Sequence, residues 1–155
     1  MISRKEHQFH RNTAVRCFNE AWDFLEKKVR TQEDNRRMLR LAHASRYHWS
    51  IVGTPRNEAV GDWQISRVYA ALKQPQLSLL FAKSSMEICK REKLSEELAT
   101  AYEGVARAYA INDDFRLARR YLRFARNQLK TLDVRTEDRR VYVNQIDETE
   151  KLIMG

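Results

Sequence analysis

The sequence contains few of the residues that end helices or form tight turns. Among its 155 residues there are only four glycines and two prolines. An all-β fold needs frequent turns, and such turns favour glycine and proline, so this scarcity argues against one. No glycine-rich loop is present either, which excludes the common loop motifs that cradle a phosphate group.

Paired cysteines and long apolar segments are also missing. Cys17 and Cys89 lie far apart and form no CxxC pair, so neither a disulfide framework nor a cysteine zinc site is expected. No segment has the roughly eighteen consecutive apolar residues that span a bilayer. The basic start leads into no apolar signal core. We therefore expect a cytoplasmic protein with no membrane segment.

Catalytic motifs are not found in the sequence. It contains no HExxH, no GxSxG and no cysteine–histidine pair with a supporting residue. His7 and His10 have the HxxH spacing, which we interpret as exposed histidines near the start of a helix rather than as metal ligands. We predict that the protein is not an enzyme and that it binds no cofactor and no metal.

Positive charge is what the sequence has in excess. Lysine and arginine number 29 against 21 aspartates and glutamates, a formal net charge of +8, and the excess lies mainly before residue 95. Such a charge favours acidic partners. Nucleic acid is one such partner, but no recognised nucleic-acid-binding motif accompanies the charge. The plainer interpretation is a modestly basic globular protein.

Apolar residues recur with the period of an α-helix along nearly the whole chain. Capping residues or prolines mark helix starts at Thr31, Thr54, Pro75, Ser95, Asp114 and Thr136. The first helix is expected from about Phe9 to Lys28. We predict one all-α domain, 1–155, with helix pairs at about 9–52, 56–93 and 95–132 and a capping helix at 136–153. Short loops make the seven helices successively antiparallel.

Two segments resemble each other at an offset of 40 residues. Arg67-Val-Tyr-Ala aligns with Arg107-Ala-Tyr-Ala, and the turn Lys73-Gln-Pro then aligns with Asp113-Asp-Phe. Large and small residues alternate in a fixed order in the second unit, at Tyr102, Val105, Ala106, Tyr109, Ala118, Leu122 and Ala125. The first unit has Asp62, Ile65, Ser66, Tyr69, Ser78, Ala82 and Ser85 at the equivalent positions.

This pattern resembles the tetratricopeptide repeat, a helix–turn–helix unit, over about residues 59–132. The resemblance implies a right-handed α–α superhelix in which small residues let paired helices approach closely, Gly104 among them. The spacing of 40 residues differs from the repeat's usual length of about 34, and Asp62 replaces a large residue. We therefore predict a tetratricopeptide-like solenoid, with a plain helical bundle as the alternative.

In that family the first helix of each pair lines a concave surface. The resemblance places inward the residues Val60, Trp63, Arg67, Ala71, Thr100, Glu103, Arg107 and Ile111. Arg67 and Arg107 would grip an acidic group while Trp63 and Ile111 make apolar contacts, as this family often holds the end of a partner peptide. In the alternative, the two arginines form salt bridges with Asp62 and Glu103.

The function expected from these residues is non-enzymatic binding of a protein or peptide that carries acidic groups. Replacing Arg67 and Arg107 with alanine would then weaken binding without lowering the melting temperature. A solenoid of three helix pairs has open ends with exposed apolar surface, so homodimerisation is a further expectation.

Two other groups of residues are alternative sites. One side of the helix at 114–132 carries a basic stripe that would bind nucleic acid or another phosphate-rich ligand, or remain a solvated face: Arg116, Arg119, Arg120, Arg123, Arg126 and Lys130. His43, Tyr47 and Trp49, together with Trp63, would form a small-molecule pocket or pack helices together.

Overall fold

The computed structural model describes residues 1–154, which form seven α-helices joined by short turns. These are α1 (Arg4–Leu25), α2 (Gln32–Val52), α3 (Pro55–Ala71), α4 (Pro75–Arg91), α5 (Ser95–Ile111), α6 (Phe115–Lys130) and α7 (Thr136–Met154). The described residues include no β-strand, so the all-α prediction is confirmed. None of these helices combines the length and the apolar composition needed to cross a bilayer.

Capping side chains explain where three of the helices begin. Thr31 and Thr54 are N-caps, as predicted, and each side chain accepts a hydrogen bond from a backbone N–H three residues later. Ser3 has the same role for α1, which starts at Arg4 instead of near Phe9. The Glu6 carboxylate accepts a hydrogen bond from the Ser3 N–H in return, so this capping box stabilises an extra first turn.

Two predicted caps are wrong, and a third, Asp114, has the predicted position without the side-chain hydrogen bond. Ser95 and Thr136 are the first residues of their helices instead of caps. Leu94 is the N-cap of α5, and Asp114 at the N-cap of α6 makes no side-chain capping hydrogen bond. At both positions the backbone N–H of the cap residue bonds to a carbonyl of the preceding helix, Cys89 for Leu94 and Tyr109 for Asp114. These backbone hydrogen bonds end the preceding helix, and no side-chain hydrogen bond caps the start of the next one.

The α3–α4 and α5–α6 turns have the same backbone structure. Lys73 and Asp113 are left-handed, with φ of 60° and 61°. The next residue in each turn donates its N–H to the carbonyl five positions back, that of Tyr69 or Tyr109. This is the hydrogen bond of a Schellman turn, which ends a helix sharply. The offset of 40 residues therefore relates turns with the same geometry.

Small residues bring the two helices of a hairpin into close contact, as the repeat predicts. Ser66 Oγ donates to the carbonyl of Ser78 at 2.8 Å, and Ser78 Oγ donates to the carbonyl of Ser66 at 2.9 Å. The backbones of α3 and α4 are therefore linked directly. Ala106 and Ala118 are fully buried at the equivalent positions of α5 and α6.

The odd-numbered helices lie next to one another. Helix α3 contacts both α1 and α5, and α5 also contacts α7, while each helix packs against its neighbours in sequence. Three apolar clusters form the core, and they include Ile65 and Val68, Val105, and Leu122 with Ile146. The odd-numbered helices therefore share one side of the molecule, and the candidate site lies there.

Candidate functional site

Trp63 of α3 lies at the centre of this side. Its indole Nε1 donates to Glu103 Oε2 at 3.3 Å, which joins equivalent positions of the two repeat units. Its ring packs against Trp22 of α1 with a centroid separation of 5.6 Å. A Cβ atom on Gly104 would lie 3.0 Å from Trp63 Cδ1. The absence of a side chain at Gly104 therefore makes room for the tryptophan ring. This agrees with the close helix packing that was predicted at this position.

Glu103 of α5 is a buried carboxylate with several donors. The residue is 1% exposed, and its Oε1 accepts hydrogen bonds from Arg107 Nε at 3.0 Å, Arg107 Nη2 at 2.9 Å and Thr149 Oγ1 at 2.8 Å. Burial alone would raise the pKa of Glu103. The charges of Arg107 and Arg67, with the hydrogen bond from Thr149, more than offset burial and lower this pKa. Glu103 is therefore ionised at neutral pH.

Arg67 of α3 lies against the two tryptophans. Its guanidinium carbon is 5.1 Å from the ring centre of Trp22 and 5.6 Å from that of Trp63. Burial and the nearby charge of Arg107 lower the pKa of Arg67, while Glu103 and Glu148 oppose that shift. An arginine still remains protonated at neutral pH. This cation is therefore held by aromatic faces as well as by carboxylates.

Glu148 of α7 bridges the two arginines. Its Oε2 lies 3.4 Å from Arg67 Nη2 and 3.6 Å from Arg107 Nη2. The Glu148 side chain is 55% exposed, whereas the Arg67 side chain is only 13% exposed. The two arginines and the two glutamates thus form a charge-balanced group whose outermost member, Glu148, is accessible to solvent.

The structure brings together four of the five residues predicted for the concave face, namely Trp63, Arg67, Glu103 and Arg107. The salt bridge between Arg107 and Glu103 that the alternative interpretation expected is present. The other expected pair is not formed, because Asp62 binds Arg46 Nε at 2.8 Å and Ser84 Oγ at 2.7 Å. Ile111 ends α5 and lines neither of the two openings beside Trp63.

An open cleft of about 690 Å³ lies over Trp63 and Arg67. Helices α1, α3 and α7 form its walls through Trp22, Leu25, Glu26, Trp63, Arg67, Val141, Asn144, Gln145 and Glu148. Val141 is 52% exposed in this wall. The cleft thus combines large apolar surfaces with two side-chain amides. The sequence did not indicate this contribution of α7, which was predicted only as a capping helix.

A smaller cavity of about 220 Å³ adjoins the cleft, because Trp63 and Gln145 line both. It is lined by Ala59, Val60, Trp63, Ser85, Glu97, Thr100, Tyr142 and Gln145. Val60 and Thr100, which the resemblance placed inward, are among these residues. Glu97 was interpreted only as an acidic residue of a first helical turn. Its spacing from Thr100 and Glu103 is the one sequence signal that would have placed it on the inward side.

The four residues of the predicted small-molecule pocket have different neighbours. His43 Nε2 lies 3.0 Å from the Tyr69 hydroxyl, and burial is the main cause that lowers the pKa of His43. Tyr47 is 63% exposed, and Trp49 is buried beneath the guanidinium of Arg11. Trp49 lines a separate cavity of about 140 Å³ between α1, α2 and α3. The residues are therefore not arranged around one shared opening.

The basic stripe of α6 is largely exposed. Its exposed members are Arg116, Arg119, Arg120, Arg123 and Lys130. Arg126 instead forms ion pairs with α7, at 3.0 Å to Asp147 and 2.9 Å to Glu150. The opposite side of α6 is buried through Ala118, Leu122, Ala125 and Leu129. The stripe is thus an outward surface that is separate from the cleft.

No family model, curated protein or solved structure matches this chain.

Proposed function

We propose that this protein is a non-enzymatic adaptor that binds an extended segment of a partner protein in the cleft beside Trp63. The observation that carries the proposal is the continuity of the cleft with the adjoining cavity, since Trp63 and Gln145 line both. In this proposal the helix pairs form a right-handed tetratricopeptide-like superhelix, and the cleft is its concave surface. A cytoplasmic location and homodimerisation stay predictions from the sequence.

The side chains of the cleft suit an extended peptide. Trp22, Leu25 and Val141 offer apolar surface, and tryptophan in particular contributes strongly to binding at protein interfaces. Asn144 and Gln145 carry amides that both donate and accept hydrogen bonds, as a peptide backbone does. The walls thus supply both kinds of contact that a peptide main chain and its side chains need.

The charge-balanced group explains how a partner with acidic groups would bind. Arg67 and Arg107 are already neutralised by Glu103 and Glu148. Because Glu148 is the exposed member, an acidic side chain of the partner would take its place between the arginines. Glu148→Gln is therefore expected to increase the affinity for acidic peptides, since it removes the competing carboxylate.

Selection of peptides from a random display library, followed by binding titrations, tests the proposal. Val141→Arg introduces a long charged side chain into the cleft wall. This substitution should lower the affinity for the selected peptides about tenfold or more. Leu80→Arg is the matched control, because Leu80 is similarly exposed on α4 and does not line the cleft. Peptides that bind the Val141→Arg variant as tightly as the wild-type protein would contradict the proposal.

A second candidate function is binding of a phosphate-rich ligand along α6. The observation that favours it is that Arg116, Arg119 and Arg123 are exposed and form no ion pair with any described residue. Titration with single-stranded DNA at several salt concentrations tests it. The double variant Arg119→Gln/Arg123→Gln should reduce the slope of log K against log salt by about 2. An affinity that does not respond to salt would exclude this function.

A further inference from the structure

The cavity beside Trp63 is locally acidic, although the chain as a whole has a formal net charge of +8. Glu97 lines the cavity, and Glu96 accepts a hydrogen bond from the hydroxyl of Tyr142, another lining residue. Arg56 pairs with Glu97, but its side chain is mostly exposed to water. The two carboxylates near the cavity thus outnumber the one nearby cation, and solvent screens the charge of that cation. The local electric field therefore favours a positive ligand.

The neighbouring titratable groups respond to this field. Burial and the charge of Glu97 raise the pKa of the Cys89 thiol to about 12. Burial, the hydrogen bond to Glu96 and the charges of Glu96, Glu97 and Asp138 raise the pKa of Tyr142. In both cases negative charge near the cavity disfavours a further anion, as it would disfavour an anionic ligand.

Glu97 also has an unused acceptor atom. Arg56 Nε pairs with Oε1, whereas Oε2 is buried and has no hydrogen-bond partner in the described part of the chain. A carboxylate oxygen only accepts hydrogen bonds, so the group that would complete this site is a donor.

The walls of the cavity define the rest of the ligand. Ala59, Val60 and Trp63 supply an apolar surface, and Thr100 adds a small polar group. A volume of about 220 Å³ is below the range of about 300–1,000 Å³ found for whole-ligand pockets. The cavity therefore fits one group of side-chain size, which is apolar along its length and has an N–H donor at its end.

We propose that this cavity binds a primary ammonium group on a short apolar stem, with the ammonium donating to Glu97 Oε2 and the stem packing against Trp63. A lysine side chain of a partner segment in the cleft carries this chemistry, and so does a free aliphatic amine. The lysine source rests on the proposed function, because the partner segment must then lie in the cleft. The ammonium site itself does not.

Titration with pentylammonium and 1-pentanol, which have stems of equal length, tests the charge requirement. Binding is followed by NMR through the indole N–H signal of Trp63, one of three tryptophans in the chain. Pentylammonium should shift this signal and bind about tenfold more tightly than 1-pentanol, the gain expected from a hydrogen bond between charged groups. Equal binding of the two probes, or no shift with either, would overturn the proposal.

Substitution of Glu97 gives a second test. Glu97→Gln should lower the affinity for pentylammonium about tenfold and leave that for 1-pentanol unchanged. Glu87→Gln is the matched control, because it removes the same charge from an exposed position on α4 that does not line the cavity. An equal loss in the two variants would mean that net charge alone attracts the amine. The comparison of probes on the wild-type protein stands even if Glu97→Gln fails to fold.

A peptide experiment separates the two sources of the amine and the two proposals. In a peptide that binds the cleft, replacing each lysine with norleucine should weaken binding to the wild-type protein but not to Glu97→Gln. Peptides whose binding depends on Val141 but on no lysine would support the proposed function. They would also indicate that the cavity binds a free amine and not a lysine side chain of the partner. Pentylammonium binding without any peptide binding would preserve the ammonium site and contradict the proposed function.

Discussion

The buried carboxylate of Glu103 shows how strongly one residue of this protein depends on its partners. Arg107 supplies two of its hydrogen bonds and Thr149 supplies a third. A buried charge that loses such partners keeps the cost of its desolvation without the compensating attraction. The same residues thus stabilise the fold and form part of the candidate site. Substitutions at this site are therefore expected to change stability as well as binding.

Replacing Arg107 with alanine is therefore expected to destabilise the protein. The free energy of unfolding should fall by about 3 kcal/mol, near the lower end of the cost of breaking a buried ion pair. Urea unfolding followed by circular dichroism measures this change. Arg123→Ala, at an exposed position of α6, should change stability by less than about 0.5 kcal/mol. Equal effects of the two substitutions would contradict the buried role of Arg107.

The burial of Glu103 changes what is expected of the Arg67 and Arg107 double variant. From the sequence, replacing both arginines with alanine was expected to weaken binding of a partner without lowering the melting temperature. Because Glu103 is 1% exposed and lies between these arginines, the double variant is now expected to melt at a lower temperature. Val141→Arg is a better test of binding, since Val141 is half-exposed in the cleft wall.

At the scale of elements, three helix-ending turns contain strained residues. Lys73, Lys93 and Asp113 adopt left-handed backbone conformations, which glycine adopts at no steric cost. Lys93→Gly should therefore raise the free energy of unfolding by about 0.5–1 kcal/mol. Thermal and urea unfolding measure the gain. Glu87→Gly, inside the helix before this turn, should instead cost about 1 kcal/mol, and a loss of stability in both variants would contradict the prediction.

Helices α1 and α2 are joined by a histidine pair that the sequence did not predict. His10 Nδ1 and His48 Nδ1 lie 2.8 Å apart, so one ring donates and the other must be neutral to accept. Burial, followed by the charge of His10, lowers the pKa of His48. As the pH falls below about 6.5, the unfolded chain binds this proton more readily than the folded protein. The contribution to stability is therefore present above that pH and is lost as the pH falls through the lower, folded pKa.

We expect His48→Gln to remove part of the stability loss between pH 7 and about pH 5. Melting temperatures measured across this range for the wild-type protein and the variant test the expectation. His7→Gln is the matched control, because His7 also lies on α1 but is exposed. This substitution should leave the pH profile unchanged. Parallel profiles for the wild-type protein and His48→Gln would contradict the role of the pair.

At the scale of the whole molecule, α7 connects the core to the candidate site. Ile146 and Ile153 are buried in the same cluster as Leu122 of α6. On the same helix, Thr149 binds Glu103 and Glu148 bridges the arginines. Packing of this helix therefore supports the floor of the cleft as well as the end of the helix stack.

Ile146→Ala should lower the free energy of unfolding by about 3 kcal/mol, because it leaves a cavity in the core. Circular dichroism and tryptophan fluorescence should report the same transition, since α7 couples the core to the site around Trp63. Leu152→Ala, on the exposed side of α7, should cost less than about 1 kcal/mol. A fluorescence transition that precedes the circular dichroism transition would show that the site unfolds independently of the core.

Local physical chemistry explains what the sequence predicted correctly. The helical period, the caps at Thr31 and Thr54, the helix-starting Pro75 and the small residues at Ser66 and Ser78 all act over a few positions of the chain or one hairpin. Ser95 and Thr136 were mispredicted as caps because each lies one position inside its helix. Before Ser95, the backbone hydrogen bond from Leu94 to Cys89 closes the turn and makes Leu94 the N-cap.

The sequence by itself therefore determined the all-α class, the hairpins and the equivalence of the two turns 40 residues apart, because these depend on local spacing. Only the tertiary structure decided that Glu148 meets Arg67 across 81 residues, that His10 meets His48, and that Glu97 faces a cavity with α7. Such contacts depend on how successive hairpins stack, and no local pattern specifies which charged side chain a distant helix will present to a buried partner.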